Sequence, residues 1–179
     1  MEGRRPGSKG NVRSGENKVI DKSLPTPSEK VQRLQTTLHA KAKAEPSYRF
    51  YTLWDKIYRR DILWIAYRRC KANGGSHGID HESFEQIESN GLGGWLGKLQ
   101  QELKEKTYTP QPQRRVWIPK ASGKAMRPLS IGCIRDRVVQ MAMLLVLTPI
   151  FEADLLPEQY GYRAQVDAKM AIRRVYYHI

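Results

Sequence analysis

Apolar residues recur along this chain first at helical spacing, then in a short alternating stretch, then at helical spacing again. That order predicts a mostly helical protein with one β-hairpin in its middle. Val31, Leu34 and Leu38 predict a short helix over 31–43, which Glu45-Pro46-Ser47 breaks. Trp54, Ile57, Tyr58, Ile62, Ile65, Ala66 and Arg69 hold a helical period and predict one longer helix. Asn73-Gly74-Gly75 supplies the left-handed residues that end it. A short helix around Phe84 and Ile87 is entered after Asp80, and Leu92, Trp95, Leu96, Leu99 and Leu103 mark another that ends near Lys106.

The texture then changes. Thr109-Pro110-Gln111-Pro112 is extended, and Arg114 to Pro119 reads as a strand stopped by proline. Ala121-Ser122-Gly123 makes a turn, so Met126 to Ile131 returns as the second strand, and Pro128 inside it argues for an edge. From Arg135 a helix becomes apolar on most faces, as a buried helix does, with Pro149 and Pro157 bracketing its irregular exit. Asp167 caps a last helix with Ala168, Ile172, Val175 and Ile179 on one face, and the chain offers that face no later segment to pack on. The expected class is α+β. The expected division is a flexible basic arm over 1–45, containing the short helix, and a folded region over 46–179.

Composition adds charge to this picture. The 179 residues carry 31 Lys and Arg against 18 Asp and Glu, a formal net charge of +13. An excess of that size points to a polyanionic partner, nucleic acid before an acidic membrane surface. The longest apolar run, Met141 to Leu147, is far short of the roughly 20 residues of a spanning helix, so no membrane is expected. No secretory leader is evident, and a cytoplasmic location is expected. Cys70 and Cys133, far apart and outside any Cys-x-x-Cys pair, read as reduced structural thiols.

Between Lys106 and Arg135 there is no acidic residue, while Lys106, Arg114, Arg115, Lys120, Lys124, Arg127 and Arg135 are all present. A hairpin of that content can hold phosphates, Lys as a mobile point charge and Arg as a planar fork; the alternative is a solvated edge. His77 and His81 flank Gly78 in what reads as a loop, and Gly97-Lys98 lacks the Ser or Thr of a phosphate loop. Neither is expected to bind metal or nucleotide, and no Ser-His-Asp grouping is discernible.

The blocks Arg115-Val116-Trp117-Ile118-Pro119-Lys120, Gly123-Lys124, Arg127-Pro128-Leu129-Ser130-Ile131 and Arg135-Asp136-Arg137-Val138-Val139-Gln140 occur in that order. So do Pro149-Ile150-Phe151-Glu152-Ala153-Asp154 and Tyr160-Gly161-Tyr162-Arg163. The series resembles the first conserved blocks of group II intron reverse transcriptases and maturases. Asn73-Gly74-Gly75-Ser76-His77-Gly78-Ile79-Asp80 is similar to the Gly-rich segment that those enzymes carry ahead of their fingers. The resemblance covers roughly Tyr51 to Ile179 and departs from the family at Gly132 and Ala164, where proline is usual.

The resemblance implies the fingers and first palm-adjacent helices of a right-hand polymerase. It implies that Lys120 and Arg127 contact an incoming triphosphate. It further implies that Asn73 to Asp80, including Gly74, Gly75 and His77, with nearby Arg68 and Arg69, face template or intron RNA; Arg114, Arg115, Lys124 and Arg135 are expected to join them as cations of the phosphate-holding hairpin. Family polymerisation uses carboxylates that converge on two metal ions about 3.5–4 Å apart, taken from a later strand and a Tyr-Ala-Asp-Asp hairpin. Neither block occurs between Met1 and Ile179. The expectation is therefore RNA binding without catalysis and no cofactor bound by this chain alone, Mg2+ belonging to the complete enzyme. A stand-alone RNA-binding maturase-like module, or a fingers chain completed by a separate palm chain, are the alternatives.

Overall fold

The structure is a computed structural model that describes residues 27–121, 123, 125–163 and 166–178. The expected basic arm up to residue 26, together with Lys124, Ala164 and Ile179, lies outside the described residues.

The helix expected over 31–43 is longer, α1 (Pro27–Ala44), and it is part of the core, where Val31, Leu38 and Ala42 are buried. The single helix expected from Trp54 is divided into a one-turn α2 (Trp54–Ile57) and α3 (Arg60–Asn73). Arg59 between them is extended (φ −60°, ψ 138°) and forks onto the Asp61 carboxylate at 3.0 and 2.6 Å. Asp61 Oδ1 also accepts from the free N–H of Ile62 at the start of α3. Helical periodicity survives the break because Ile57 and Ile62 are both buried, on either side of it.

α4 (Phe84–Ser89) opens on a reciprocal capping box between Ser83 and Gln86. α5 (Leu92–Glu105) ends as expected, with Lys106 in a left-handed conformation. The hairpin follows as β1 (Arg114–Pro119) and β2 (Met126–Ile131), paired antiparallel from Arg114↔Ile131 to Pro119↔Met126. In this two-stranded sheet both strands are edges. The Lys120 N–H donates to Ala125 O at 2.8 Å, so by ladder alternation Trp117 and Pro128 form a non-hydrogen-bonded pair. The missing N–H of Pro128 therefore costs no ladder bond.

α6 (Ile134–Asp154) continues past Pro149, where an exit was expected. Proline at that position leaves the carbonyl of Leu145 without its helical donor. The Gln35 side-chain amide of α1 donates to that carbonyl at 2.9 Å, and Lys43 of the same helix donates to Ala153 O at 3.2 Å. The Gln35 bond thus satisfies the carbonyl that Pro149 leaves without a donor, and the Lys43 bond satisfies one in the last turn of α6. α7 (Ala168–His178) begins where Asp167 accepts from the Met170 N–H at 2.8 Å, and its Ile172 and Val175 are exposed.

The core lies between α1, α3, α5 and α6, around Leu63, Ala66 and Tyr67 of α3, Leu103 of α5, and Val138, Ala142 and Leu145 of α6. The Tyr67 ring packs edge-on against Phe84 and Trp95, and its hydroxyl donates to Phe84 O at 3.3 Å. Burial, with Glu88 nearby, pushes its pKa up to about 12. Among the described residues no helix is long and apolar enough to cross a membrane.

Candidate nucleic-acid interface

Side chains directly opposite in an antiparallel pair share a face, and the face alternates along each strand. The register therefore puts Arg114, Val116 and Ile118 on one face with Arg127, Leu129 and Ile131. The Lys120–Ala125 bond extends that face to Lys120, diagonally beside Arg127. Lys120 and Arg127 thus stand together near the hairpin tip, and Arg114 sits on the same face at the base. Arg115 and Trp117 lie on the opposite face, both exposed.

Among the described residues, the side chains of Arg115, Lys120 and Arg127 have no ion-pair or hydrogen-bond partner, as expected where no acid is near in sequence. The Arg114 Nε is shut off from solvent without an acceptor, so that residue is half committed to the base of the hairpin.

Two anchors fix the hairpin to the helices. Asp136, buried in the first turn of α6, accepts from the Tyr108 hydroxyl and from the Gln111 N–H at 3.1 Å. Those two residues belong to the segment that leads into β1. Burial first, then the carboxylate of Asp136, raises the Tyr108 pKa well above that of an ordinary tyrosine. Arg135 pairs with Glu102 of α5 and lies 5.0 Å from the centroid of the Tyr108 ring. Its charge is engaged by protein, which leaves it less available to RNA than Arg115.

The Gly-rich segment docks beside this anchor. Arg137 donates through Nη1 to Gly74 O at 3.1 Å and through Nη2 to Ser76 O at 3.0 Å, with its guanidinium 5.6 Å from the Phe84 ring centroid. Gly75 has φ 98°, which favours glycine. A Cβ on Gly78 would come within 2.6 Å of the Cys133 Cα, so only glycine lets the loop approach the start of α6 this closely. Gly132 differs: a Cβ there would meet only the Arg137 Cγ at 4.0 Å, so local packing does not require glycine where the family usually has proline.

Arg68 and Arg69 are exposed on α3, and Asn73 ends that helix in the open. The His77 ring lies 4.9 Å from that of His81, and both its nitrogens are shut off from solvent without a hydrogen-bond partner. Contact with RNA through them requires the loop to lift. Among the described residues no three His, Cys, Asp or Glu side chains converge to hold a metal ion.

Sequence reasoning gave no role to Tyr108, Asp136 and Arg137, which aim the hairpin and hold the loop. The available signal was the charged triplet Arg135-Asp136-Arg137 at the head of an otherwise apolar helix.

The fold and this surface define a helix-rich protein with a basic, acid-free hairpin set beside a clamped glycine loop. The chain is 37% identical over 147 residues to the protein YkfC of Escherichia coli, an alignment covering 81% of this chain and 38% of that protein. It is 31% identical over 128 residues to the group II intron-encoded protein LtrA of Lactococcus lactis, covering 70% of this chain and 21% of that one. The putative COX1/OXI3 intron 1 protein of Saccharomyces cerevisiae matches at 34% over 115 residues, 64% of this chain and 13% of its own length. No family model matches the chain. The chain spans well under half the length of these relatives, and over the shared span it is homologous to group II intron-encoded proteins, the kind of protein that its motif series resembles.

Proposed function

We propose that this chain forms the fingers side of a group II intron reverse transcriptase and maturase, equivalent to the fingers and first palm-adjacent helices of a right-hand polymerase. It grips intron RNA and template-primer with its basic surface and offers Lys120 and Arg127 to the triphosphate of an incoming nucleotide. The observation that carries the reading is the placement of those two cations, uncommitted, on one face of a hairpin. Two such charges can neutralise a phosphate leaving group, and positioning with charge stabilisation is most of what phosphoryl transfer asks of a protein.

Arg115, Arg68, Arg69 and the Gly-rich loop are the candidate RNA contacts, Gly74 and Gly75 by close backbone approach. Lys124, the further candidate, lies outside the described residues. Among the described residues no carboxylates converge into a two-metal site.

The test is RNA binding measured across a salt series. Contacts to several phosphates give a log-log slope of about −0.7 to −0.9 per phosphate. Lys120→Glu with Arg127→Glu should lower that slope by about one to two and weaken nucleotide binding. RNA affinity indifferent to salt, or unchanged affinity for RNA and nucleotide in the double variant, would sink the reading.

A further inference from the structure

A second basic surface, with no hairpin residue in its lining, is a groove of about 680 Å³ between α3 and α5. Arg60 and Trp64, four residues apart on α3, form one wall. Gly93, Leu96 and Gln100 of α5 form the other, with Leu96 buried as the floor. Lys30 from α1 and the half-buried Tyr58 close one end.

The chemistry of the groove is specific. Asp61 is the acid in its lining, and it is neutralised by the fork from Arg59. Lys30 and Arg60 have no ion-pair partner among the described residues, which leaves the groove with two uncompensated positive charges. Trp64 is 37% exposed although it stands on a core helix, and it lines this groove as well as the neighbouring cleft beside Arg68 and Leu92. The Gln100 amide nitrogen is held by Tyr58 O at 2.9 Å, which fixes the side chain and leaves its oxygen free to accept. Gly93 contributes no side chain, and a Cβ there would meet nothing within 4 Å, so the groove is open at that wall.

We infer that this groove seats one unpaired base of single-stranded RNA, stacked on Trp64, with Arg60 and Lys30 holding the adjoining phosphates. An aromatic face, a fixed hydrogen-bond acceptor and flanking cations are the parts by which proteins hold unstacked RNA bases. A volume of this size is in the range of small-ligand clefts. The site rests on the RNA-binding reading of the chain and adds to it the place where a base is held. Charge alone does not call for an aromatic wall, and an apolar partner does not call for two free cations.

The test compares the full chain with Trp64→Ala and Gly93→Leu by fluorescence anisotropy. The probes are an RNA of about 12 nucleotides, within the span a single-strand groove covers, and the same strand without bases. Wild type should bind the base-bearing strand more tightly, and each variant should lose on the order of 10-fold toward it while binding the abasic strand as before. Gly93→Leu fills open space and raises helix propensity, so its loss cannot be assigned to unfolding. Unchanged affinity in both variants, or no preference for the base-bearing strand, overturns the groove as a base site. If Lys120→Glu with Arg127→Glu abolishes binding in that case, the hairpin reading stands without it. A wild-type chain that binds neither strand overturns both.

Discussion

In the helical body, Arg59 ends on Asp61, Arg135 on Glu102, Arg137 on the carbonyls of Gly74 and Ser76, and Arg163 on Glu152. On the hairpin, Arg115, Lys120 and Arg127 end on nothing among the described residues. These four guanidiniums connect parts of the body, while Arg60, Arg68 and Arg69 stay exposed on α3; the three hairpin cations have no side-chain partner among the described residues. Packing differs in the same sense. The body buries Leu63, Leu103 and Leu145, whereas Trp117, Met126 and Leu129 of the hairpin are exposed. The body holds itself together by burial; the hairpin depends on its own ladder and on the anchors at its base.

That contrast can be broken at several points. The largest expected effect is in the core: Leu145→Ala should cost about 2–5 kcal/mol in urea unfolding. Trp117→Ala should cost under about 1 kcal/mol, since little burial is lost. Equal costs would mean that the hairpin is no less integrated than the body.

Gly78→Ala comes next, at about 1–3 kcal/mol, because its Cβ would collide with the Cys133 backbone. Lifting the loop should also speed alkylation of Cys133, whose thiol is buried and held above its ordinary pKa by that burial. Wild-type alkylation kinetics in this variant would show that the loop does not rest on α6.

Asp136→Ala should cost about 1–3 kcal/mol by leaving the Tyr108 hydroxyl and the Gln111 N–H without their acceptor. It should also loosen the hairpin, read as faster hydrogen exchange in β1 and β2 than in α3. Uniform acceleration across both regions would deny Asp136 a local anchoring role.

The alkaline limb gives a smaller effect. Tyr67 and Tyr108 both have raised pKa values in the folded protein, so their protonated forms are favoured there. Stability from this source is full below the unfolded tyrosine value near pH 10 and is lost as pH rises through the folded value, about 12 for Tyr67. Tyr67→Phe should flatten that decline in a pH series of urea midpoints; an unchanged limb would contradict the assignment. The smallest effect on stability, within about 0.5 kcal/mol, belongs to Lys120→Glu with Arg127→Glu, since neither residue has a protein partner to lose.

Much of the fold was legible because periodicity reports burial directly. Arg114–Pro119 and Met126–Ile131 were read to the residue, since alternation, a terminal proline and a glycine turn all agreed. The break at Arg59 was not legible, because Ile57 and Ile62 are buried on both sides of it and the apolar pattern continues. Pro149 misled for the opposite reason: a local rule predicted a stop, and Gln35 of a distant helix supplied the missing donor. In the candidate interface, Lys120 and Arg127 stood out by charge and motif, but Arg135 looked equally basic and proved to be engaged by Glu102.

By itself the sequence determined the two strands of the hairpin and the approximate place of most helices, that Lys106 to Arg135 is free of acid, and which family the motif series resembles. These are local or compositional properties, set by the period of apolar residues and by the sum of charges. Only the tertiary structure decided which cations remain free, that Lys120 and Arg127 share a face, and that Gly78 must be small against Cys133. Those outcomes depend on partners far apart in the chain. A charge is available or engaged according to what folding brings within hydrogen-bond reach of it.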